Sequence, residues 1–160
     1  MFIDQWMSAD GIQQFFADVH VQEGGAALFT SYDPVVWLPD DGFDAYHMSA
    51  PLGQGDRIVT MLRATVTSLD AARTAMNEIW QPRILAAHRQ GLQSHEVFVR
   101  LAAPGSPEAL ELLGIDTWSS PDGMGTVYDD PTFRQALYGM FAGAPKTWRL
   151  RRPAGEWVEW

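Results

Sequence analysis

GIDTWSSPDG, residues 114–123, repeats a pattern that the chain has already used at residues 3–11, IDQWMSADG. At an offset of 112 positions the identical pairs are Ile3/Ile115, Asp4/Asp116, Trp6/Trp118, Ser8/Ser120, Asp10/Asp122 and Gly11/Gly123. Further on, Asp18 matches Asp130 and Phe29 matches Phe141, and one deletion aligns Pro34 and Trp37 with Pro145 and Trp148. Matches kept in this order over about 35 residues indicate a duplicated supersecondary unit.

Each copy is predicted to fold as strand, helix and strand. The I-D-x-W segment forms the first strand, and the serine that precedes Asp-Gly is a helix-start signal. The helix is interrupted at Asp18 in the first copy and at Asp130-Pro131 in the second, because proline resists continuing a helix. A second short helix and a strand with Trp37 or Trp148 complete each copy.

The region between the copies predicts another strand, helix and strand. RIVTMLRATVT, residues 57–67, is rich in β-branched residues, and Ser68 can cap a helix from Leu69 that Pro82 breaks and Gly91 ends. LQSHEVFVRLA, residues 92–102, is the next strand. Residues 57–150 therefore read β-α-β-β-α-β, the α+β ferredoxin-like arrangement.

The domain organisation follows from these segments. Residues 1–37 are predicted to be a half repeat, β-α-β, and residues 57–153 a complete ferredoxin-like unit. Between them, residues 38–56 hold three glycines and two prolines, which predicts a linker or surface loop. Residues 154–160 form a C-terminal tail.

Charge and composition exclude several kinds of partner. The formal net charge is −9, so nucleic acid and anionic lipid surfaces are not expected to bind. The chain has no cysteine, which excludes disulfides and thiolate chemistry, and no apolar run is long enough for a membrane helix. Because MFIDQWMSADG lacks the features of a signal peptide, we expect a cytoplasmic protein.

The DxW strand, S-x-D-G, the broken helix with DP-x-F and MF, and the strand with tryptophan together resemble the dimeric α+β-barrel superfamily. Within it, the chain is most similar to proteins like the antibiotic biosynthesis monooxygenases. The resemblance implies that two ferredoxin-like units pair their sheets into a barrel, with a pocket between sheet and helices or inside the barrel. Six predicted strands leave a sheet edge open, so we expect a homodimer, or a natural chain that begins upstream of Met1.

The strand that carries Asp116 presents two different faces. Alternation places Leu112, Gly114, Asp116 and Trp118 on one face and Leu113, Ile115 and Thr117 on the other. We expect the second set to pack on helices, which turns Asp116 and Trp118, and by the repeat Asp4 and Trp6, into the barrel. Asp116 is then either a general base or a structural hydrogen-bond acceptor, and Trp6 and Trp118 would stack on an aromatic ligand.

Two histidines are further candidates. His95, in SHEVFV, shares a strand face with Val97 and Val99 and is either a catalytic proton carrier or a hydrogen-bonded core residue. His47 lies in the predicted linker, either at a pocket mouth or on the surface. The four histidines show no ligand spacing, so no metal site is expected.

The resemblance also implies activities. Phenol oxygenases of this type hold substrate with polar residues, a role that Trp118, Tyr128, Arg63 and Arg100 could fill, and they need no cofactor. Haem-degrading members place a histidine in the last helix, but FRQALYGMF and VQEGGAALF have none, so haem degradation is not expected. The leading hypothesis is a cofactor-independent monooxygenase that removes a proton from a small aromatic or polyketide-like substrate.

Two alternatives remain open at this point. One is a non-catalytic barrel that binds a hydrophobic ligand or serves in assembly. The other is an isomerase or lyase that transfers protons in the same pocket without oxygen. The sequence does not decide whether the protein is an enzyme.

Overall fold

The computed structural model describes residues 8–28, 35–47, 57–100 and 110–152. The chain divides into two compact units, Met1–Pro34 and Val35–Trp160.

The first unit contains two short helices, α1 (Ala9–Ala17) and α2 (Val19–Leu28). The Ser8 hydroxyl accepts a hydrogen bond from the Gly11 amide at 3.1 Å, and the Asp18 carboxylate accepts one from the His20 amide at 2.8 Å. These are the helix start and the interruption that the sequence predicts. Asp4 and Trp6 lie outside the described residues, so the first strand of the half repeat stays a prediction.

The second unit is an antiparallel sheet with helices. Its elements in chain order are β1 (Trp37–Pro39), β2 (Tyr46–His47), β3 (Arg57–Val66), α3 (Leu69–Trp80), α4 (Ile84–Arg89), β4 (Leu92–Arg100), β5 (Leu110–Trp118), α5 (Pro121–Tyr128), α6 (Pro131–Gly139) and β6 (Lys146–Arg152). The strand order is β1-β4-β5-β3-β6, and β2 also pairs with β4. The order β-α-β-β-α-β from β3 to β6 confirms the predicted α+β ferredoxin-like unit.

Local signals set the ends of these helices. Ser68 caps α3 by accepting from the Ala71 amide at 3.3 Å, and Pro82 lies in the turn between α3 and α4. Gly91 has φ +105°, a left-handed conformation that glycine adopts without strain, and it ends the helical segment before β4. At α6, Asp130 accepts from the Phe133 amide at 2.7 Å, and Pro131 occupies a position that needs no donor.

Part of the predicted linker belongs to the sheet. β1 pairs with Phe98–Arg100 of β4, and β2 pairs with Ser94 and His95. Between these strands Phe43 is buried, and Arg73 of α3 forms a salt bridge to Asp40 at 2.6 Å. The prediction of a linker over 38–56 is therefore wrong for residues 38–47, where two short pairing segments and one apolar anchor hold the chain to β4 and α3.

The main core lies between the helices and one face of the sheet. Trp80, Phe133 and Leu137 from the helices pack with Leu112 and Trp118 of β5. Each fully buried side chain of this size contributes about 1.5–3 kcal/mol by leaving water.

The start of α5 lies very close to the turn after α4. A Cβ built at Gly123 would lie 1.6 Å from the Gln90 carbonyl oxygen, so only glycine fits there. The Ser119 amide also donates to the Gly91 carbonyl at 2.8 Å. Glycine at 123 thus permits backbone contact between these two segments.

None of the helices in the described part of the chain has the length and apolar character needed to cross a bilayer.

Candidate active site

A row of polar residues crosses the middle of the sheet. His95 on β4 lies opposite Asp116 on β5, Asp116 lies opposite Thr60 on β3, and Thr60 lies opposite Arg149 on β6. Directly opposed residues of antiparallel strands project to the same face. Because Trp118, two residues from Asp116, packs in the helix-covered core, the row faces the helices.

This orientation corrects the predicted faces of β5. The set with Leu112, Asp116 and Trp118 packs on helices, whereas Leu113 and Ile115 lie on the opposite face. Both sets contain large apolar residues, so alternation separates them without showing which one the helices cover. The pocket predicted inside the barrel is replaced by one on the helix side of the sheet.

His95 and Asp116 form a buried pair. His95 is 2% exposed and Asp116 7%, and the distance from Nδ1 of His95 to Oδ1 of Asp116 is 2.5 Å. The Trp80 ring lies 4.4 Å from the imidazole, centre to centre, and Nε2 of His95 is buried without a hydrogen-bond partner. With Nδ1–H donating to the carboxylate, the pair holds Asp116 in one orientation.

Tyr128 contacts the second oxygen of the same carboxylate. Its hydroxyl donates to Oδ2 of Asp116, and the Thr60 hydroxyl lies 3.3 Å from the phenol oxygen. Burial raises the pKa of Tyr128 well above its usual range, and the negative charge of Asp116 raises it further. The phenol is therefore a neutral donor at physiological pH. Tyr128 stands at the end of α5, which brings it over the centre of the sheet.

A cleft of about 240 Å³ opens beside this network. Thr60, Asp116 and Tyr128 line it together with Arg134, Tyr138 and Arg149. Because Asp116 is buried whereas Arg134 and Tyr138 are exposed, the carboxylate lies deep in the cleft and these two residues lie near its mouth. A carboxylate that lines a partly dry cleft and is held by two donors can accept a proton from a bound molecule.

The candidate residues on this face have distinct positions. Asp116 and Tyr128 line the cleft, and His95 lies behind Asp116 outside the lining. His95 therefore has the position of a residue that orients the carboxylate. Trp118 is fully buried, with its ring 5.7 Å from that of Tyr128, and does not line the cleft. The prediction that Trp118 stacks on a ligand is wrong for this cleft, because its indole supports Tyr128 in the core.

The remaining candidates lie on the opposite face of the sheet. Arg63 binds Glu111 through Nε and Nη2 at 3.0 and 2.9 Å, and Arg100 binds the same carboxylate at 2.7 Å. These contacts lower the pKa of Glu111, with Arg63 the largest cause. The prediction that Arg63 and Arg100 hold substrate with Asp116 is wrong, because strand alternation directs them away from it.

His47 also lies apart from the cleft. Its side chain is 65% exposed, and Nε2 lies 3.5 Å from the Glu96 carboxylate. It pairs with Ser94, whose side chain points away from the face of its neighbour His95. His47 therefore lies on the surface, away from this cleft. Asp4 and Trp6, the candidates of the first copy, are outside the described residues.

Sequence reasoning missed Thr60, Arg134, Tyr138 and Arg149. Thr60 and Arg149 become candidates only through strand register, which brings both onto the row of Asp116. Arg134 and Tyr138 lie on α6, four residues apart, the spacing that places two side chains on one helix face. Among the described residues, no three His, Cys, Asp or Glu side chains are grouped as a metal site requires.

Comparison with known proteins identifies the fold. No protein-family model and no curated protein matches the sequence. An anthrone oxidase-like protein of known structure superposes with a TM-score of 0.58 at 17% identity, covering 94% of this chain and 71% of that one. Its likeness shows that the two chains share a fold, the α+β ferredoxin-like arrangement that the sequence pattern predicted.

Two further structures align less closely. A ferredoxin-fold protein from Listeria monocytogenes related to antibiotic biosynthesis monooxygenases gives a TM-score of 0.48 at 13% identity, with 84% of this chain and 89% of that one covered. SnoaB, a cofactor-independent oxygenase from Streptomyces nogalater, gives 0.41 at 17% identity, with 65% and 98% covered.

Proposed function

We propose that the protein is a cofactor-independent oxygenase that removes a proton from an aromatic, polyketide-like substrate in the cleft beside Asp116. The observation that carries the proposal is the Asp116 carboxylate, held between His95 and Tyr128 and lining a cleft of about 240 Å³. A general base must be positioned at the site where the substrate binds, and Asp116 meets this requirement.

The substrate class follows from the chemistry that a carboxylate can perform. A carboxylate deprotonates carbon only where the anion is strongly delocalised, as at a CH₂ group between aromatic rings and opposite a ketone or phenol. The structural likeness to an anthrone oxidase-like protein supports this choice of substrate. The walls of the cleft include the rings of Tyr128 and Tyr138 and the side chain of Leu137, which suit a flat, apolar molecule.

The proposed reaction is balanced with molecular oxygen as the only oxidant. Asp116 takes one proton from the CH₂ group, and the carbanion adds O₂ at the same carbon to form a peroxide anion. Asp116 returns its proton to the outer oxygen. Loss of the second C–H proton then breaks the O–O bond, which leaves a ketone and one water molecule.

Each neighbour of Asp116 has a part in this sequence. His95 fixes the orientation of the carboxylate, since its Nδ1–H holds Oδ1. The Tyr128 hydroxyl, kept neutral by burial, donates to Oδ2 and holds the second oxygen of the carboxylate. Thr60 holds the phenol in place from the other side.

The test is conversion of anthrone to anthraquinone by the purified protein, followed by absorbance and by oxygen uptake. We expect Asp116→Asn to lower kcat/KM about 100-fold or more, because the base is lost while the shape is kept. Asp122→Asn makes the same chemical change on the exposed surface of α5 and should leave the rate unchanged. Equal rates for wild type and Asp116→Asn would remove the assignment.

The same assay under nitrogen separates the alternatives. Turnover of a test substrate without oxygen would favour an isomerase or lyase over an oxygenase. Binding without turnover would favour a non-catalytic barrel that binds a hydrophobic ligand, and absence of both binding and turnover would favour a role in assembly. The polar lining contributed by Asp116, Thr60 and Tyr128 argues for chemistry over storage of an apolar ligand.

We also propose that the protein forms a homodimer. The support is the terminal strand β6, which in the described residues pairs on one side only, with β3. Unpaired strand edges invite pairing with another chain. Light scattering after gel filtration should give twice the chain mass of 17.8 kDa, and a monomeric mass at micromolar concentration would reject the dimer.

A further inference from the structure

We propose that the cleft selects substrates that carry an anionic group, and that Arg134 and Arg149 bind this group. The proposal rests on the proposed function for its aromatic skeleton, and it adds the charge that the substrate must have. Both arginines line the cleft that contains Asp116. Neither forms an ion pair with any residue in the described ranges.

Two arginines without an ion pair among the described residues line the same cleft although the chain is acidic. Aspartate and glutamate outnumber lysine and arginine by 20 to 11. Arg63, Arg73 and Arg100 each bind a carboxylate at 2.6–2.9 Å. The N–H groups of Arg134 and Arg149 are instead available on the walls of one cleft. There a ligand carboxylate can accept two parallel hydrogen bonds from a guanidinium.

Arg134 is held in place from one side. Its guanidinium carbon lies 5.8 Å from the centre of the Tyr138 ring, within the range of a cation–π contact. This contact involves no oxygen acceptor. Arg134 therefore keeps both its position and its capacity to donate to a ligand.

The pairing of the strands sets the distance between Arg149 and the proposed base Asp116. Asp116, Thr60 and Arg149 stand opposite one another on β5, β3 and β6. Two strand spacings separate Asp116 from Arg149, roughly 10 Å between backbones. This spacing suits a substrate whose acidic CH₂ lies at Asp116 and whose carboxylate extends toward the β6 side.

Two acidic groups share the cleft and oppose the binding of an anion. Asp116 has its charge stabilised by His95 and Tyr128. Asp129 also lines the cleft and forms no ion pair in the described part of the chain. Its negative charge should weaken anion binding, so Asp129→Asn is expected to strengthen it.

The experiment compares two ligands of the same shape, anthraquinone-2-carboxylate and anthraquinone-2-carboxamide, by isothermal titration calorimetry at 50 mM salt. Wild-type protein should bind the carboxylate at least about tenfold more tightly than the amide. Arg134→Gln and Arg149→Gln should each lower the affinity for the carboxylate about fivefold and leave the affinity for the amide unchanged. Arg89→Gln, at an exposed position outside the cleft, is the matched control.

The outcomes separate this proposal from the previous one. Equal affinity for the two ligands, or a preference that survives in both cleft variants, overturns the anion site even if anthrone is turned over. No binding of either ligand also overturns it. A carboxylate preference that both arginine variants reduce, in a protein that does not oxidise anthrone, supports the anion site and rejects the oxygenase.

Discussion

The two faces of the sheet use polar residues in opposite ways. On the face toward the helices, short side chains from three strands meet at Asp116 and are buried. On the other face, long side chains from Arg63, Arg100 and Glu111 form an ion cluster in which both arginines are about 30% exposed. The first network surrounds one carboxylate with an imidazole and a phenol, whereas the second neutralises one carboxylate with two guanidinium cations.

This difference explains why only one face is suited to chemistry. Glu111 is bound by two permanent cations, so it stays ionised and has little tendency to take a proton. Asp116 is held instead by hydrogen bonds to an imidazole and a neutral phenol, and it lines a cleft. A carboxylate is thus structural or reactive according to the donors that surround it.

The largest expected contrast between the faces is in the stability of histidine variants. His95→Ala should lower the free energy of unfolding by about 3 kcal/mol, because it leaves a cavity under Trp80 and removes a donor from Asp116. His47→Ala should change it by less than about 0.5 kcal/mol, since the side chain is exposed and its contact with Glu96 lies at the surface. Urea unfolding measures both. Similar losses of unfolding free energy in the two variants would contradict the difference between a buried network on the helix side and an exposed one on the other face.

A smaller contrast is expected between two threonines. Thr60→Val keeps the shape but removes the hydroxyl 3.3 Å from the Tyr128 oxygen, so stability should fall by about 1 kcal/mol and kcat/KM for anthrone about fivefold. Thr117 lies on the opposite face, and Thr117→Val should stay within about 0.5 kcal/mol and leave the rate unchanged. An equal effect on rate in both variants would show that the Thr60 hydroxyl has no special role.

The smallest contrast is in the pH dependence of stability, where the faces should act at opposite ends of the scale. The pKa of Tyr128 is raised in the folded state, so its contribution is complete below about pH 10 and is lost as pH rises further. The pKa of Glu111 is lowered, so its contribution is present above its ordinary value of about 4.5 and is lost as pH falls through the folded pKa.

Melting temperatures of two variants test this assignment. The Tm of wild type should fall as the pH rises above about 10, and Tyr128→Phe should reduce this fall by a few degrees. Tyr138 is exposed in the wild type, and Tyr138→Phe should leave the fall unchanged. Glu111→Gln should be less stable than wild type at pH 7, with the difference vanishing as the pH approaches 3. A constant difference from pH 7 to pH 3 would show that the charge of Glu111 is not the cause.

The fold was predictable because its signals are local. Ser68, Pro82 and Gly91 mark the start, the break and the end of the first helical segment, and the structure places all three as predicted. The β-branched composition of residues 57–67 likewise predicts β3. The repeat predicted a strand at Trp37, where β1 begins, whereas β2 escaped prediction, since two residues carry no periodicity and form a strand only by pairing with β4.

The site was only partly predictable because it depends on register and on the covered face. His95 and Asp116 were named from residue type and strand position and Tyr128 from the family resemblance, and the structure brings the three together. Arg63 and Arg100 have the same chemistry as Arg134 and Arg149, but strand alternation and helix position place only the latter pair at the cleft. An irregularity between Leu92 and Ser94 also shifts the pairing of β4 with β5, which no local pattern indicates.

The close approach at Gly123 restricts how the cleft can adapt to a ligand. With no space between Gly123 and the Gln90 carbonyl, the first turn of α5 is immobilised against the segment before β4. We therefore expect a rearrangement that accompanies ligand entry to involve α6 more than the start of α5. Ligands that differ in width would be accommodated by α6 and the Arg134 side chain, while the distance from the base to the anchored end of α5 stays constant.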